Sequence, residues 1–362
     1  MEKISLLVLF GGKSSEYEIS LISASSILKN VDHEKYDITT VGITKDGVWY
    51  HYDGNVDSVA DDSWCADTSK LCRAAISPSM GDSSLLIFDN EANTYTSKHI
   101  DVVFPVMHGS YSEDGKLQGL LEMSGIPTVG CGCTTSVLGM DKGYAKLILK
   151  NFGIPQARSI VINADALMGN LPQVIAGCER LSAYPLFVKP SCAGSSRGAS
   201  KAMHRDGLKA ALELAAKYDS KIIVEEFIKG KECEVAVMGN KEYIASTVGQ
   251  IVPGSAFYDY STKYSSDSPA TYNIPADIRP DTAKNIQTIA RRICSVLGVK
   301  GLSRVDFFVR KVNGNEEIIF NEINTIPGFT EISMYPKLFI HDGMTYSGII
   351  DKLIELALGK EK

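Results

Sequence analysis

No stretch of this 362-residue sequence approaches 18 uninterrupted apolar residues, so no segment reads as a membrane span. There is no basic surplus: 37 Lys and Arg against 43 Asp and Glu leave a net charge of −6. Proteins that live on nucleic acid usually carry the opposite balance, and that class is set aside. A small anion can still be held by local lysines and backbone N–H groups inside an acidic whole. The eight cysteines are scattered, and only Cys131 and Cys133 stand close together. One C-x-C without a second ligand pair makes no zinc framework. They read as reduced structural thiols of a cytoplasmic protein. Fixed-period repeats and low-complexity tracts are absent. So are G-x-G-x-x-G and G-x-x-x-x-G-K-[ST], the dinucleotide and Walker A fingerprints.

What is present is ordinary globular material, 44% hydrophobic and 22% charged. The length suggests two or three domains. Met1–Phe10 is a short apolar run without a small-residue cleavage end. It reads as a first strand entering Gly11-Gly12 rather than as a signal peptide. Residues 19–28 carry helical spacing, Ile38–Ile43 and Val48–Tyr52 read as strands, and Asp46-Gly47 between them is a hairpin signal. Residues 53–85 are polar and poorly periodic and read as a surface excursion. Val102–Met107 is a buried strand, and Gly115–Gly125 a helix. This alternation predicts a doubly wound parallel sheet over residues 1–130.

A second unit, 131–228, opens with one helix over Thr135–Asn151, broken by Gly153-Ile154-Pro155. Strands follow at Ser159–Val161, Pro185–Val188 and Ile222–Phe227, with a helix at Leu208–Lys217. The third unit, 229–362, has strands at Glu234–Met238, Ile244–Val252, Ser303–Val309 and Glu317–Asn321. Its helices are Pro280–Leu297 and Tyr346–Leu358.

Three segments carry chemistry. The loop Lys189–Gly198 offers two glycines, several hydroxyls and a lysine at the end of an apolar strand. That composition suits phosphate, although a plain flexible turn has it too. Glu322 and Asn324, two apart, share one face of a strand, and Asp306 lies on another apolar strand. Together they are either a hard-oxygen set for Mg²⁺ or polar residues on a solvated face. Glu225-Glu226 ends a strand and enters a crossing. Its backbone could bond an adenine and Glu232 could reach a ribose, or the pair is surface charge.

Ordered motifs along nearly the whole chain resemble the D-alanine–D-alanine ligases, of the ATP-grasp fold. They are Gly11–Ser20, Phe104–Gly109, Glu113–Gly119, Met140-Asp141-Lys142, Lys189–Gly198, Phe257–Tyr264 and Asn321–Thr330. The resemblance implies an α/β protein of three domains, with ATP between two sheets and Mg²⁺ or Mn²⁺, typically two ions. It implies phosphorylation of one D-alanine and attack by the amine of a second, in peptidoglycan synthesis. It also implies a homodimer, in contact with neither nucleic acid nor membrane.

Residue by residue, the resemblance makes Glu16 the anchor of the first substrate's ammonium, with His108 beside it. Ser195 and Tyr264 would complete a hydrogen-bonded group with Glu16 that closes a lid, for which the aromatic and polar stretch Phe257–Ser268 is the candidate. Lys142, Lys189 and Lys263 would hold phosphates, with Ser195 and Ser196. Glu225, Glu226, Ile228 and Glu232 would take adenine and ribose. Asp306, Glu322 and Asn324 would ligate Mg²⁺, and Arg304 and the Gly328 N–H would stabilise an oxyanion. Ser333 and Met334 would meet the second substrate. Ala193 and Arg197 depart from the family's usual loop, as does Ser110-Tyr111-Ser112. A vancomycin-resistance relative that adds D-serine or D-lactate is the near alternative. A non-catalytic ATP-binding module would not need lysine, metal and oxyanion sets together.

Overall fold

The computed structural model describes residues 2–89, 91–252 and 271–360. Three sheets organise it. The first has seven strands: β1 (Ile4–Gly11), β2 (Tyr36–Ile43), β3 (Trp49–Tyr52), β4 (Leu71–Ile76), β5 (Ser84–Asp89), β6 (Thr94–His99) and β7 (Val102–Val106). Their order is β6-β5-β4-β3-β2-β1-β7. Parallel pairing holds for β2-β1-β7. From β2 outward the pairing is antiparallel. The expected parallel core is therefore continued by a meander. Residues 53–85 are not a mere excursion. They contain α2 (Val56–Ala60), β4 and the first residues of β5, and they bury Trp64 completely. β4 is only six residues long and its apolar residues do not alternate with polar ones, so it does not stand out in the sequence.

β1 is apolar without a break because both of its faces are covered. Leu6, Val8 and Phe10 pack against α1 (Tyr17–Asn30), while Leu7 and Leu9 join Leu117 and Leu121 of α3 (Lys116–Ser124). The strand period of two thus feeds two separate cores.

The second sheet has the order β10-β9-β11-β8. It comprises β8 (Ser159–Asn163), β9 (Leu186–Pro190), β10 (Ser200–Ala202) and β11 (Lys221–Glu226). The expected single helix at 135–151 is two: α4 (Cys133–Met140) and α5 (Lys142–Asn151). Asp141 separates them. Its extended backbone leaves α4, and its carboxylate caps α5 by accepting Tyr144 N–H at 3.1 Å. α6 (Asp165–Glu179), which sequence reading did not anticipate, and α7 (Arg205–Ala215) cover this sheet.

The third sheet runs β15-β14-β12-β16-β17, with β13 beside β12. Its strands are β12 (Lys231–Gly239), β13 (Tyr243–Ala245), β14 (Gly249–Val252), β15 (Thr271–Asn273), β16 (Leu302–Val312) and β17 (Asn315–Asn324). The strand expected at Ile244–Val252 is divided into β13 and β14. α8 (Pro280–Leu297) starts with proline and ends at left-handed Gly298. It buries Ile286, Ala290, Ile293 and Leu297 against β12 and β16. The closing helices, α9 (Met334–His341) and α10 (Tyr346–Ala357), share one core with β1, α1 and β7. Lys35 and Tyr36 hold Asp351 of α10 at 2.6 and 3.0 Å. The last part of the chain is thereby fastened to the first sheet.

Candidate active site

A cleft of about 1130 Å³ is lined by the second and third sheets, by α1 and by loops of all three units. Glu16 stands at one side of it, at the start of α1. Its carboxylate does not cap that helix but accepts the Ser195 hydroxyl from the Lys189–Gly198 loop. Two glycines make room for it. A methyl group at Gly109 would lie 2.5 Å from Glu16 Oε2, and one at Gly194 2.7 Å away. Ser195 and Ser196 both sit at positive φ, 50° and 56°. Non-glycine residues hold that conformation only where surroundings impose it, often at working sites. The loop is thus folded onto Glu16 rather than left as a free turn.

The loop is fastened from below by Asp141. Its Oδ1 accepts Ser191 Oγ at 2.7 Å, and Ser191 Oγ in turn accepts Gly143 N–H at 3.0 Å. Lys142 then reaches across to donate to Ala193 O at 2.9 Å and stands 3.4 Å from Glu322. Lys189 lies 2.8 Å from Glu225 and 3.2 Å from Asn321 Oδ1. Lys146, not singled out from the sequence, is buried beside Glu225 at 2.7 Å. Its spacing of four from Lys142 on a helix was the available signal. Burial alone would raise the Glu225 carboxyl, but Lys146 and Lys189 outweigh it and hold it down at about 2. With that carboxylate between two lysines, what Glu225 leaves for a nucleotide is its backbone. The Glu226 carboxylate likewise engages Arg158, accepting its N–H at 2.9 Å and its Nε at 3.1 Å. Ile228 and Glu232 line the same wall of the cleft.

Opposite lies a row of acids. Glu234 of β12 pairs in register with Asp306 of β16, and Asp306 with Glu322 of β17. Arg304, one pleat earlier, is the register partner of Asn324. Its Nε and Nη2 each donate to Asp306 at 2.8 Å, and Nε stands 3.1 Å from Glu234. Asn324 Nδ2 donates to Asp306 at 3.1 Å. The expected Asp306, Glu322 and Asn324 therefore sit on adjacent positions of two paired strands. Glu234 is a member of the row that sequence reading missed. Two carboxylates and an amide are an all-oxygen donor set of the kind that leaves Mg²⁺ its waters and phosphates. Among the described residues, no three His, Cys, Asp or Glu form a metal cage by themselves.

Gly328, Ser333 and Met334 line the far end of the cleft. Ser333 Oγ accepts Thr330 N–H at 3.0 Å, and Met334 is buried at the start of α9. His108 is nearby and buried, with both ring nitrogens engaged by the protein, at Ser23 and Ile326. Burial lowers its pKa, which favours the neutral ring. Lys263, Tyr264 and the expected lid lie outside the described residues.

A nucleotide-sized cleft between two sheets, with lysines on one wall and a carboxylate row on the other, defines an ATP-grasp enzyme. The family models D-ala D-ala ligase N-terminus and C-terminus match residues 5–131 and 148–355. The chain belongs to the D-alanine–D-alanine ligase family and joins two D-alanines in an ATP-dependent reaction. It is 46% identical to the D-alanine–D-alanine ligase of Acetivibrio thermocellus, covering 99% of this chain and 96% of that one. Identity to the Ruminiclostridium cellulolyticum ligase is also 46%, over 99% and 96%. Among solved structures, the VanG D-Ala:D-Ser ligase from Enterococcus faecalis superposes with a TM-score of 0.87 at 40% identity, covering 98% of this chain and 100% of that one. The Coxiella burnetii D-alanine–D-alanine ligase gives 0.84 at 33%, covering 99% and 95%.

Proposed function

We propose that the ligation runs through a D-alanyl phosphate and that D-alanine is the preferred second substrate. One observation carries the reading: Glu16, the lysines Lys142 and Lys189, Arg304 and the Asp306–Glu322 pair all line a single cleft. Lys142, Lys189, Ser195 and Ser196 take the phosphates, the Glu225–Ile228 backbone the adenine, and Glu232 the ribose. Glu16 pairs with the ammonium of the first D-alanine. A carboxylate oxygen of that D-alanine attacks the γ-phosphorus, forming D-alanyl phosphate and releasing ADP. The amine of the second D-alanine, as free base, attacks the carbonyl carbon. Arg304 and the Gly328 N–H stabilise the oxyanion of the tetrahedral intermediate before phosphate leaves. Ser333 meets the second carboxylate, and Met334 walls the methyl group. Lys263 and Tyr264 belong to this reading by resemblance alone.

Asp306, Glu322 and Asn324 would hold Mg²⁺, which supplies charge neutralisation on the transferring phosphoryl group. All eight cysteines are free thiols, which supports action in the reducing cytoplasm. A homodimer is part of the proposal on family grounds. Phosphate release with ATP, Mg²⁺ and D-alanine tests the reading, with dipeptide measured in parallel. Expected is D-alanine-dependent release matched by dipeptide; release without dipeptide, or no dependence on D-alanine, overturns it.

A further inference from the structure

The turn Ile326-Pro327-Gly328-Phe329 follows β17 and enters the cleft at Gly328. At both of its ends the backbone is held by side chains from elsewhere in the chain. Ile326 N–H donates to Glu113 Oε1 at 3.0 Å. Ile326 O lies 3.0 Å from His108 Nδ1. Phe329 N–H donates to Ser23 Oγ at 3.2 Å, and Phe329 O accepts the Tyr346 hydroxyl. Pro327 has no N–H to place. The Phe329 ring packs among Phe104, Tyr335 and Tyr346 and is almost fully buried. Of the turn's three N–H groups, that of Gly328 alone is left open: among the described residues it donates to nothing.

The bonds close into one directed circuit. A carbonyl only accepts, so His108 carries its proton on Nδ1 and gives it to Ile326 O. Nε2 is then the acceptor, and the Ser23 hydroxyl, 3.2 Å away, donates to it. Ser23 Oγ keeps a lone pair for Phe329 N–H. Each member fixes the next, from Phe329 through Ser23 and His108 back to Ile326. Glu113 closes a second arm, since its other oxygen accepts Gly109 N–H at 2.8 Å, on the residue after His108. Ser23 lies on α1, His108 just past β7, and Glu113 just before α3, all in the N-terminal domain.

We infer that Ser23, His108 and Glu113 are positioning residues, a clasp from the N-terminal domain that sets the Ile326–Phe329 turn so that Gly328 N–H meets the developing oxyanion. The inference rests on the role proposed above for Gly328. It assigns His108 to the backbone of the turn in place of the substrate contact expected from resemblance. It also gives a reason for the family's Glu113-Asp114-Gly115 motif, whose first residue has no part in the reaction outlined above. A donor aimed at the transition state is worth far more than one that is present but misplaced.

Ser23→Ala and Glu113→Gln test it, assayed with D-alanine and ATP. Dissociation constants for ATP and for a tetrahedral phosphinate analogue of the dipeptide are measured beside kcat. The expected result for both variants is a kcat lowered by about tenfold or more, with ATP affinity within about twofold of the parent and the analogue weakened in step with kcat. Variants with parental kcat, or with kcat lowered and analogue affinity intact, overturn the clasp. Should either variant fail to fold, ¹⁵N NMR of the unaltered protein at pH 7 decides. A neutral His108 ring protonated on Nδ1 supports the circuit, and protonation on Nε2 or on both nitrogens overturns it. Absence of ligation by the unaltered enzyme sinks the proposed function itself, whereas activity with unaffected variants sinks the clasp alone.

Discussion

Lys146 Nζ lies 2.7 Å from one oxygen of Glu225, and Lys189 Nζ lies 2.8 Å from the other. All three side chains are buried, so a single anion balances two cations away from water. Removing that charge strands both lysines, a loss in the range of ~3–5 kcal/mol for a buried pair. Glu225→Gln should therefore lower the stability of the ligand-free protein by that order at pH 7, read from urea unfolding. The sign with pH follows from a folded pKa of about 2 against an ordinary 4.5. The stabilisation is fully present above pH 4.5 and is lost as pH falls toward 2. The gap between parent and variant should narrow on acidification over that window. A gap that is constant or widens would contradict the ion trio.

Glu322 faces Asp306 across β16 and β17, with Lys142 only 3.4 Å away. In the ligand-free protein that lysine partly neutralises the carboxylate. With a metal and phosphates in the cleft, the same carboxylate would serve as a hard oxygen ligand. Glu322→Gln should abolish turnover at limiting Mg²⁺ while leaving the melting temperature close to the parent's. Near-parental activity at limiting Mg²⁺ would remove Glu322 from the metal set.

Arg304 is fixed by Asp306 at 2.8 Å through two nitrogens and by Glu234 at 3.1 Å. A guanidinium held in a fork delivers its remaining donors in a set direction; an ammonium does not. Arg304→Lys keeps the charge and loses the fork. Its kcat should fall by on the order of 10²-fold with a smaller change in the KM for ATP. A change confined to KM would assign Arg304 to ground-state binding.

Much of this was legible in the residues, and what was not has physical causes. β1 and β7 are apolar on both faces, and α8 begins at proline and ends at glycine, so their signals are local and strong. The Asp306–Glu322 row was half legible. A spacing of two placed Glu322 and Asn324 on one face, but register between strands is a tertiary property, and Glu234 joins the row only through it. The split at Asp141 was hidden because its immediate neighbours, Met140 and Lys142, both favour helix and no proline interrupts the segment; the cap shows only when its carboxylate finds Tyr144, Ser191 and Lys221. Lys146 was passed over for a similar reason. Its partner, Glu225, lies 79 residues further on and gives no local sign. The strands β4 to β6 could not be read, since β6 is exposed along almost its whole length and β4 and β5 do not alternate cleanly.

Choice of acceptor is the sharpest remaining test, because a D-Ala:D-Ser ligase superposes on this chain as well as the D-alanine ligases do. Met334 lines the end of the cleft just after Ser333 and is buried against Gly249, where a methyl group would lie 2.5 Å from its Cε. That wall is apolar and has no slack toward β14. The methyl group of D-alanine needs nothing more, whereas a D-serine hydroxyl buried there would leave a hydrogen bond unmade. The penalty is roughly 1–3 kcal/mol, which is about tenfold to a hundredfold in kcat/KM. D-alanine should therefore exceed D-serine by that factor when each is supplied as acceptor beside D-alanine and ATP. Met334→Arg brings donors for the hydroxyl and should narrow the gap. Equal or better use of D-serine by the unaltered chain would move it into the D-serine class.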